Sequence, residues 1–489
     1  MTGIASPERL VLVAVLVPFV GALVIPAFHK RPNLRETVTL TTAGLLCAVV
    51  FSLLGPVIDG ARPEANVFAI APGLAVALKV EPLGMLFALV ASTLWVVNSI
   101  YSIGYMRGND EPRQTGFYVC FALALTSTIG VAFAGNLFTL FLFYEALTLV
   151  TYPLVTHKGN TEAIRAGRLY LVLLLGTSLV LFLPAIVATW VLAGTLNFAP
   201  GGILAGKTSP AILGVLLALF VFGIGKAALI PVHFWLPAAM VAPTPVSALL
   251  HAVAVVKAGV FAVTKVVVYV FGLDTLRQAG ANEWLVFVAS MSLLLASLIA
   301  LSCDNLKARL AYSTVSQLAY VVLGAAIATT TSILGAGLQI AVHAVAKITL
   351  FFCAGAIYTA HHLTEVSQLN GIGRKMPITM LAFLAASLSI IGVPPLGGWN
   401  KWTLALGAAD AGQMIALGAI MLSSLLSVGY LLPIVARGFF PSALEGESSK
   451  GTRIKEAPLA CVIALGCTAL LTVALFFSVG RVEQLLLGL

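Results

Sequence analysis

At 489 residues the chain is long enough for about three soluble domains, but a composition of 60% apolar and 9% charged residues excludes that reading. A mean hydropathy of +1.05 marks instead a polytopic membrane protein. The net charge of +9 comes from basic residues that do not cluster, which argues against a nucleic-acid surface, and the six scattered cysteines form no CxxC or Cys/His group suited to zinc or iron–sulfur ligation.

Fourteen apolar stretches of membrane-crossing length follow in chain order, at about 10–28, 37–58, 82–104, 116–134, 136–156, 169–193, 211–230, 244–270, 284–302, 310–329, 332–359, 378–398, 411–436 and 457–479. The first is expected to stay as a helix, because Glu8 and Arg9 make a poor basic leader and no small-residue cleavage site is evident. With the N-terminus outside, sixteen lysines and arginines fall in inward loops against six in outward ones. Both termini are therefore expected on the non-cytoplasmic side, most naturally of a bacterial plasma membrane. The longest connectors, about 59–81 and 436–457, leave no room for an extramembrane domain with nucleotide or quinone chemistry. The expected fold class is all-α, with about fourteen transmembrane helices in one domain over 1–489. Within it, N-terminal helices occupy 1–115, two halves occupy 116–270 and 284–436, and a C-terminal helix occupies 457–489.

Spans seven and twelve are interrupted, the first by Pro231 and Pro237, the second by Pro394 and Pro395 within GVPPLGGWNK. At membrane depth, broken backbone is tolerated only where protein covers it or it lines a cavity. Paired breaks in corresponding halves are what an inverted-repeat transporter shows, although similarity between the halves is weak residue by residue.

Five basic residues remain in or beside spans: Lys226, Lys257, Lys265, Lys347 and Lys401. A charge placed there costs about 3 kcal/mol or more, so such residues usually face a bundle interior or a hydrated path. Of the eighteen acids only Glu145 lies near the middle of a span, while Asp410 sits at a span edge and the rest fall in loops or termini. Lys226, read as lying within span seven, and Glu145 on span five would attract by about 4 kcal/mol at 4 Å and an effective dielectric near 20. That makes a switch that loads and releases a proton, with a static ion pair as the plainer alternative. His251 and Lys257 are six apart and project from different sides of span eight, whereas His343 and Lys347 are four apart and share a face. Histidine suits a relay because it titrates nearest physiological pH, and a core imidazole is its plainer role. Lys401, between Trp399 and Trp402, either closes the row or snorkels to the interface. Lys265, near the end of span eight, is expected to snorkel.

Two decoys are set aside. GGILAGKT at 201–208 fits the letters of a P-loop but occupies a short connector between spans, without the strand and helix that motif needs. Gly223-Ile224-Gly225 is too short a match for dinucleotide binding.

The run KAALIPVHFWLPAAMVAPTPVSALLHAVAVVKAG, from Lys226 to Gly259, resembles the antiporter-like subunits shared by complex I, membrane-bound hydrogenases and Mrp-type multi-subunit cation/proton antiporters. That resemblance implies two inverted five-helix repeats. It also implies a coupled Glu145/Lys226 pair (FYEALTLVTYPL, GIGKAALIPVHFWLP) and a mid-membrane axis running on through His251, Lys257, His343 and Lys347 to Lys401. The family has lysine at this last position in most subunits and glutamate in one complex I type. The chain runs only ten residues past span fourteen, without the long lateral helix of the largest family member. With the lysine at 401, this puts a D-type Mrp subunit in front, catalysing Na+/H+ antiport. Behind it stand the short complex I type and hydrogenase or carbon-uptake homologues. A non-conducting structural subunit is the alternative of another class, and a self-contained solute carrier is disfavoured because no substrate-sized polar cluster appears. The expected partners are other subunits of a membrane antiporter or respiratory complex, protons, Na+ and the lipid bilayer, with no nucleic acid. No cofactor and no redox centre are expected in the chain itself.

Overall fold

Proline and asparagine set the helix starts in this bundle. Pro7, Pro32, Pro82, Pro210 and Pro377 each open a helix, at a position whose N–H would have no intrahelical partner. Asn136, Asn160 and Asn305 cap others by accepting from backbone N–H groups three residues on, and Thr329 with Ser332 forms a capping box. The computed structural model describes residues 6–71, 73–440 and 454–488. Lys450, Arg453, Leu489 and most of the 436–457 connector lie outside the described residues.

Among the described residues, twelve helices are long and apolar enough to cross a membrane. They are α1 (Pro7–Phe28), α2 (Pro32–Ile58), α3 (Pro82–Gly108), α4 (Gln114–Ala132), α5 (Leu137–Val155), α6 (Thr161–Ala193), α8 (Thr244–Phe271), α9 (Glu283–Ser302), α10 (Leu306–Ile327), α11 (Thr330–His361), α13 (Met414–Phe439) and α14 (Leu459–Phe477). The remaining two expected spans are broken helices. These are α7a (Pro210–Gly223) with α7b (Val232–Val241), and α12a (Pro377–Ile391) with α12b (Trp399–Asp410). An amphipathic helix, α15 (Val479–Leu486), follows α14.

Helices α8 and α11 are enclosed along their apolar length, and α10 nearly so, while α1, α2, α6 and α14 leave much of theirs at the periphery. Around α11 pack α3, α10, both halves of α12, and α14. The two central helices carry His251, Lys257, His343 and Lys347, so these groups are buried inside the bundle.

Three local features depart from the sequence reading. The break in span seven begins at Gly223, before either proline, so Lys226 lies in a 3-10 turn (Gly225–Ala227) rather than within a helix. Pro231 offers no N–H, and its ring would clash with the carbonyl four residues back, so a helix could run no further than about a turn before it, and α7a stops roughly a turn earlier still. Span eight is continuous in direction but not in hydrogen bonding: Leu249–Val253 and Val267–Phe271 are π turns, with Ala254 at φ −116°, ψ −75° after the first. The connector at 59–81 is a β-hairpin, β1 (Glu64–Ala71) with β2 (Leu74–Lys79), paired antiparallel from Glu64 with Lys79. Lys79 N–H donates to Phe133 O (2.6 Å) and Gly135 N–H to Ala77 O (2.9 Å), tying the hairpin to the α4–α5 connection.

Candidate functional site

Each broken helix turns a lysine inward. At the first break, Trp235 Nε1 donates to Gly225 O (3.1 Å) and fixes the 3-10 turn. A Cβ at Gly259 would overlap the backbone of Lys226 and Ala227, so only glycine lets α8 press against this turn. Lys226 is fully buried; its Nζ donates to Tyr144 O (2.8 Å) and Thr148 Oγ1 (2.5 Å) and lies 3.2 Å from the centre of the Tyr144 ring. Its backbone N–H donates to Tyr144 Oη (3.1 Å). Glu145, the next residue on α5, makes no ion pair with Lys226 among the described residues, and neither of its carboxylate oxygens has a hydrogen bond. Ser178, on the π turn of α6, stands near it but donates to Leu175 O (3.1 Å). The pair is therefore adjacent and open.

In the centre, His251 sits in the first π turn of α8 with its ring 4.8 Å from that of Phe351 and neither nitrogen bonded. Extra backbone turns of this kind are frequent where a helix carries function. Lys257 Nζ lies 2.5 Å from His343 Nδ1, so the contact runs across from α8 to α11. Sequence spacing pairs His343 with Lys347 and sets Lys257 apart from His251; the packing of α8 against α11 brings Lys257 to His343. His343 Nε2 is left without a partner. Lys347 Nζ donates to Ser313 Oγ (2.8 Å) and reaches Leu310 O at 3.5 Å, both on α10.

At the second break, Gly397 packs so closely on Ser389 that a Cβ would stand 2.6 Å from its carbonyl oxygen. Beyond Pro394 and Pro395 the chain re-enters a helix at Trp399. Lys401 Nζ donates to Ile391 O (3.2 Å), the last residue of α12a, and to Ser424 Oγ on α13 (3.0 Å). It is 6% exposed, while Trp399 and Trp402 beside it are 45% and 62% exposed, so the lysine points in where the tryptophans point out.

Lys265 does not snorkel. It is fully buried, 2.9 Å from Glu81 Oε2, and donates to Ala134 O (2.6 Å) with the Phe198 ring centre at 4.6 Å. Glu81 at the start of α3, Ala134 after α4 and the rings of Phe198 and Tyr269 enclose its ammonium group. Glu81 stands at the residue before α3, immediately ahead of Pro82, with its side chain turned to Lys265 rather than to the helix end; in sequence it reads as a loop acid, with nothing to mark it as a partner. Three other features are not evident from the sequence. Glu36 is buried against Arg107, with Oε1 at 3.0 Å and Oε2 at 2.5 Å. Gln339 donates to Gln317 Oε1 (2.9 Å) and accepts from Asn400, an amide chain across α11, α10 and α12b. A cavity of about 300 Å³ opens near the start of α8 and α10, lined by Tyr105, Lys158, Thr244 and Lys307. Outside the spans beside it, burial raises the Glu111 carboxyl above its ordinary range against the pull of Lys158 and Lys307. Thr244 stands about two turns from His251 on α8.

Fold and site together define a polytopic, antiporter-like membrane protein. The chain belongs to the family described as NADH:quinone oxidoreductase/Mrp antiporter, transmembrane, whose pattern matches residues 134–427. It is 31% identical over 459 residues to the N-type subunit of NADH-quinone oxidoreductase from Desulforudis audaxviator, covering 91% of this chain and 88% of that one. It is 25% identical over 469 residues to the D-type subunit of the Na(+)/H(+) antiporter from Alkalihalophilus pseudofirmus, covering 95% and 94%. Among solved structures, a chain of the Mrp complex from a Dietzia species superposes with a TM-score of 0.85 at 25% identity, covering 98% of this chain and 96% of that one.

Proposed function

We propose that this chain is the proton-translocating subunit of a multi-subunit, Mrp-type Na+/H+ antiporter, acting as its D-type member in a bacterial plasma membrane with both termini outside the cytoplasm. The row Glu145, Lys226, His251, Lys257, His343, Lys347 and Lys401 is the path, carried by two inverted five-helix repeats with one broken helix in each.

One observation carries this reading. Among the described residues, Lys226, Lys257, Lys347 and Lys401 are buried on hydroxyls, carbonyls or an imidazole, and none has a carboxylate in ion-pair contact. A lysine on neutral ligands can give up its proton without stranding a buried carboxylate. Lys265, locked to Glu81, is the internal contrast, since taking its proton leaves an uncompensated charge at a cost of several kcal/mol. Movement of Glu145 onto Lys226 would hold a proton there, and withdrawal would free it towards Lys257 and His343. Each protonated base raises the cost of charging the next, so protons move along the row under like-charge repulsion.

The 31% identity to an N-type subunit keeps a second reading in view, the proton-pumping component of a redox-driven NADH-quinone oxidoreductase. Both readings are tested by purifying the complex through a tag on this chain and reconstituting it in vesicles. The antiporter reading expects small membrane partners and acidification driven by a Na+ gradient alone. Flavoprotein and iron–sulfur partners, with proton movement only when NADH and quinone are supplied, would favour the second reading. No proton movement under either condition would leave a structural role.

A further inference from the structure

We propose that the inward face of α13 is the proton wire between Lys347 and Lys401, built from side-chain hydroxyls in two segments with a single break. The inference rests on the proton-translocation reading above and assigns a path to its second half.

The sequence MLSSLLSVGY places Ser423, Ser424, Ser427 and Tyr430 within two turns, on one stripe of α13. Opposite them α10 presents Ser313 and Tyr320, seven residues apart and also on one face. All but Ser424 are fully enclosed, while Met421, Leu422 and Leu425 face outward from α13. From the Lys347 side, Nζ donates to Ser313 Oγ (2.8 Å), Ser313 Oγ donates to Tyr430 Oη (3.2 Å), and Tyr430 Oη shares a proton with Ser427 Oγ (2.9 Å). From the other end, Lys401 Nζ donates to Ser424 Oγ (3.0 Å), which lies 3.2 Å from Tyr320 Oη. Between the segments the chain is open. Ser427 Oγ donates back to Ser423 O (2.9 Å) and Ser424 Oγ to Ile420 O (3.0 Å), so about one helical turn separates the two hydroxyls.

Hydroxyls within membrane helices often serve only to join neighbours. Ser297, Ser316 and Ser423 do so here, with mutual distances of 2.9, 3.0 and 3.2 Å and no lysine among them. The wire differs because each segment ends on one of the two lysines. A hydroxyl both donates and accepts, so it can pass a proton on, whereas the amides of Gln317, Gln339 and Asn400 running beside it hold the helices without relaying. In one passage the Lys347 ammonium gives a proton to Ser313 as Ser313 gives its own to Tyr430, and so on to the neutral amine of Lys401. Every hydroxyl loses one proton and gains one, and no other reactant takes part. Rotation of Ser427 away from Ser423 O, or one water at that turn, closes the break.

The test is proton flux by the purified complex in vesicles under whichever driving force moves protons in the wild type, with the yield of assembled complex measured in parallel. Tyr430→Phe keeps the ring and removes the hydroxyl; it and Ser424→Ala are expected to lower flux about a hundredfold with assembly unchanged. Ser313→Ala should do the same and Ser313→Thr restore it, which covers the case of a variant that does not assemble. Ser297→Ala, outside both segments, should leave flux at the wild-type level. Wild-type flux in Tyr430→Phe and Ser424→Ala would overturn the wire while leaving the proton reading in place. A wild type that moves no protons would overturn the proton reading itself, and the wire with it.

Discussion

Lys401 and Lys265 show how much a lysine's neighbours decide. Both lie near the end of an apolar stretch, and from sequence both fit a side chain reaching for the interface. In the fold Lys401 rests on a carbonyl and a hydroxyl, and Lys265 on a carboxylate. A relay group must shed its proton, and arginine effectively cannot. Lys401→Arg is therefore expected to assemble normally and to abolish transport; full transport would make Lys401 a structural lysine and remove the end of the row. For Lys265 the expectation is structural. Lys265→Ala or Glu81→Ala leaves one buried charge alone and should cost about 3–5 kcal/mol, read as lost yield or lower thermal stability of the complex. The apolar pair Lys265→Met with Glu81→Leu should recover much of that loss. If the single changes were silent for stability yet blocked transport, the pair would belong to the pathway.

At the scale of elements, the two broken helices were legible because proline and glycine act locally: Pro231, Pro394 and Pro395 forbid continuous helix wherever they stand. Where the break begins was not legible. Gly223 ends α7a eight residues before Pro231, earlier than that proline alone requires, and the turn that follows it packs against Gly259 on another helix. The π turn holding His251 had no visible signal either, since LLHAV reads as ordinary helix and the extra residue shows only in its hydrogen bonding. The Lys257–His343 contact depends on how α8 and α11 are juxtaposed, which periodicity along either helix does not contain. Serine and tyrosine stripes on α10 and α13 were written in the sequence but dilute, as single hydroxyls among apolar residues.

Over the whole molecule, composition and span lengths were enough for a helical membrane bundle, and one long motif was enough for the family. Orientation is a separate matter. The excess of inward lysines and arginines leads us to expect reporter fusions at Leu489 and within 440–455 on opposite sides, with Leu489 outside. Signals from the same side would refute fourteen crossings with external termini.

Proton passage along a buried row of lysines held by neutral ligands is the central claim, and the first member of the row is the most exposed to test. The direct measurement is proton flux in vesicles carrying the reconstituted complex, with Lys226→Ala and Glu145→Ala compared with wild type at equal assembled amounts. Loss of flux in both, with intact assembly, is the expected result. Near wild-type flux in either would contradict the switch at the head of the row.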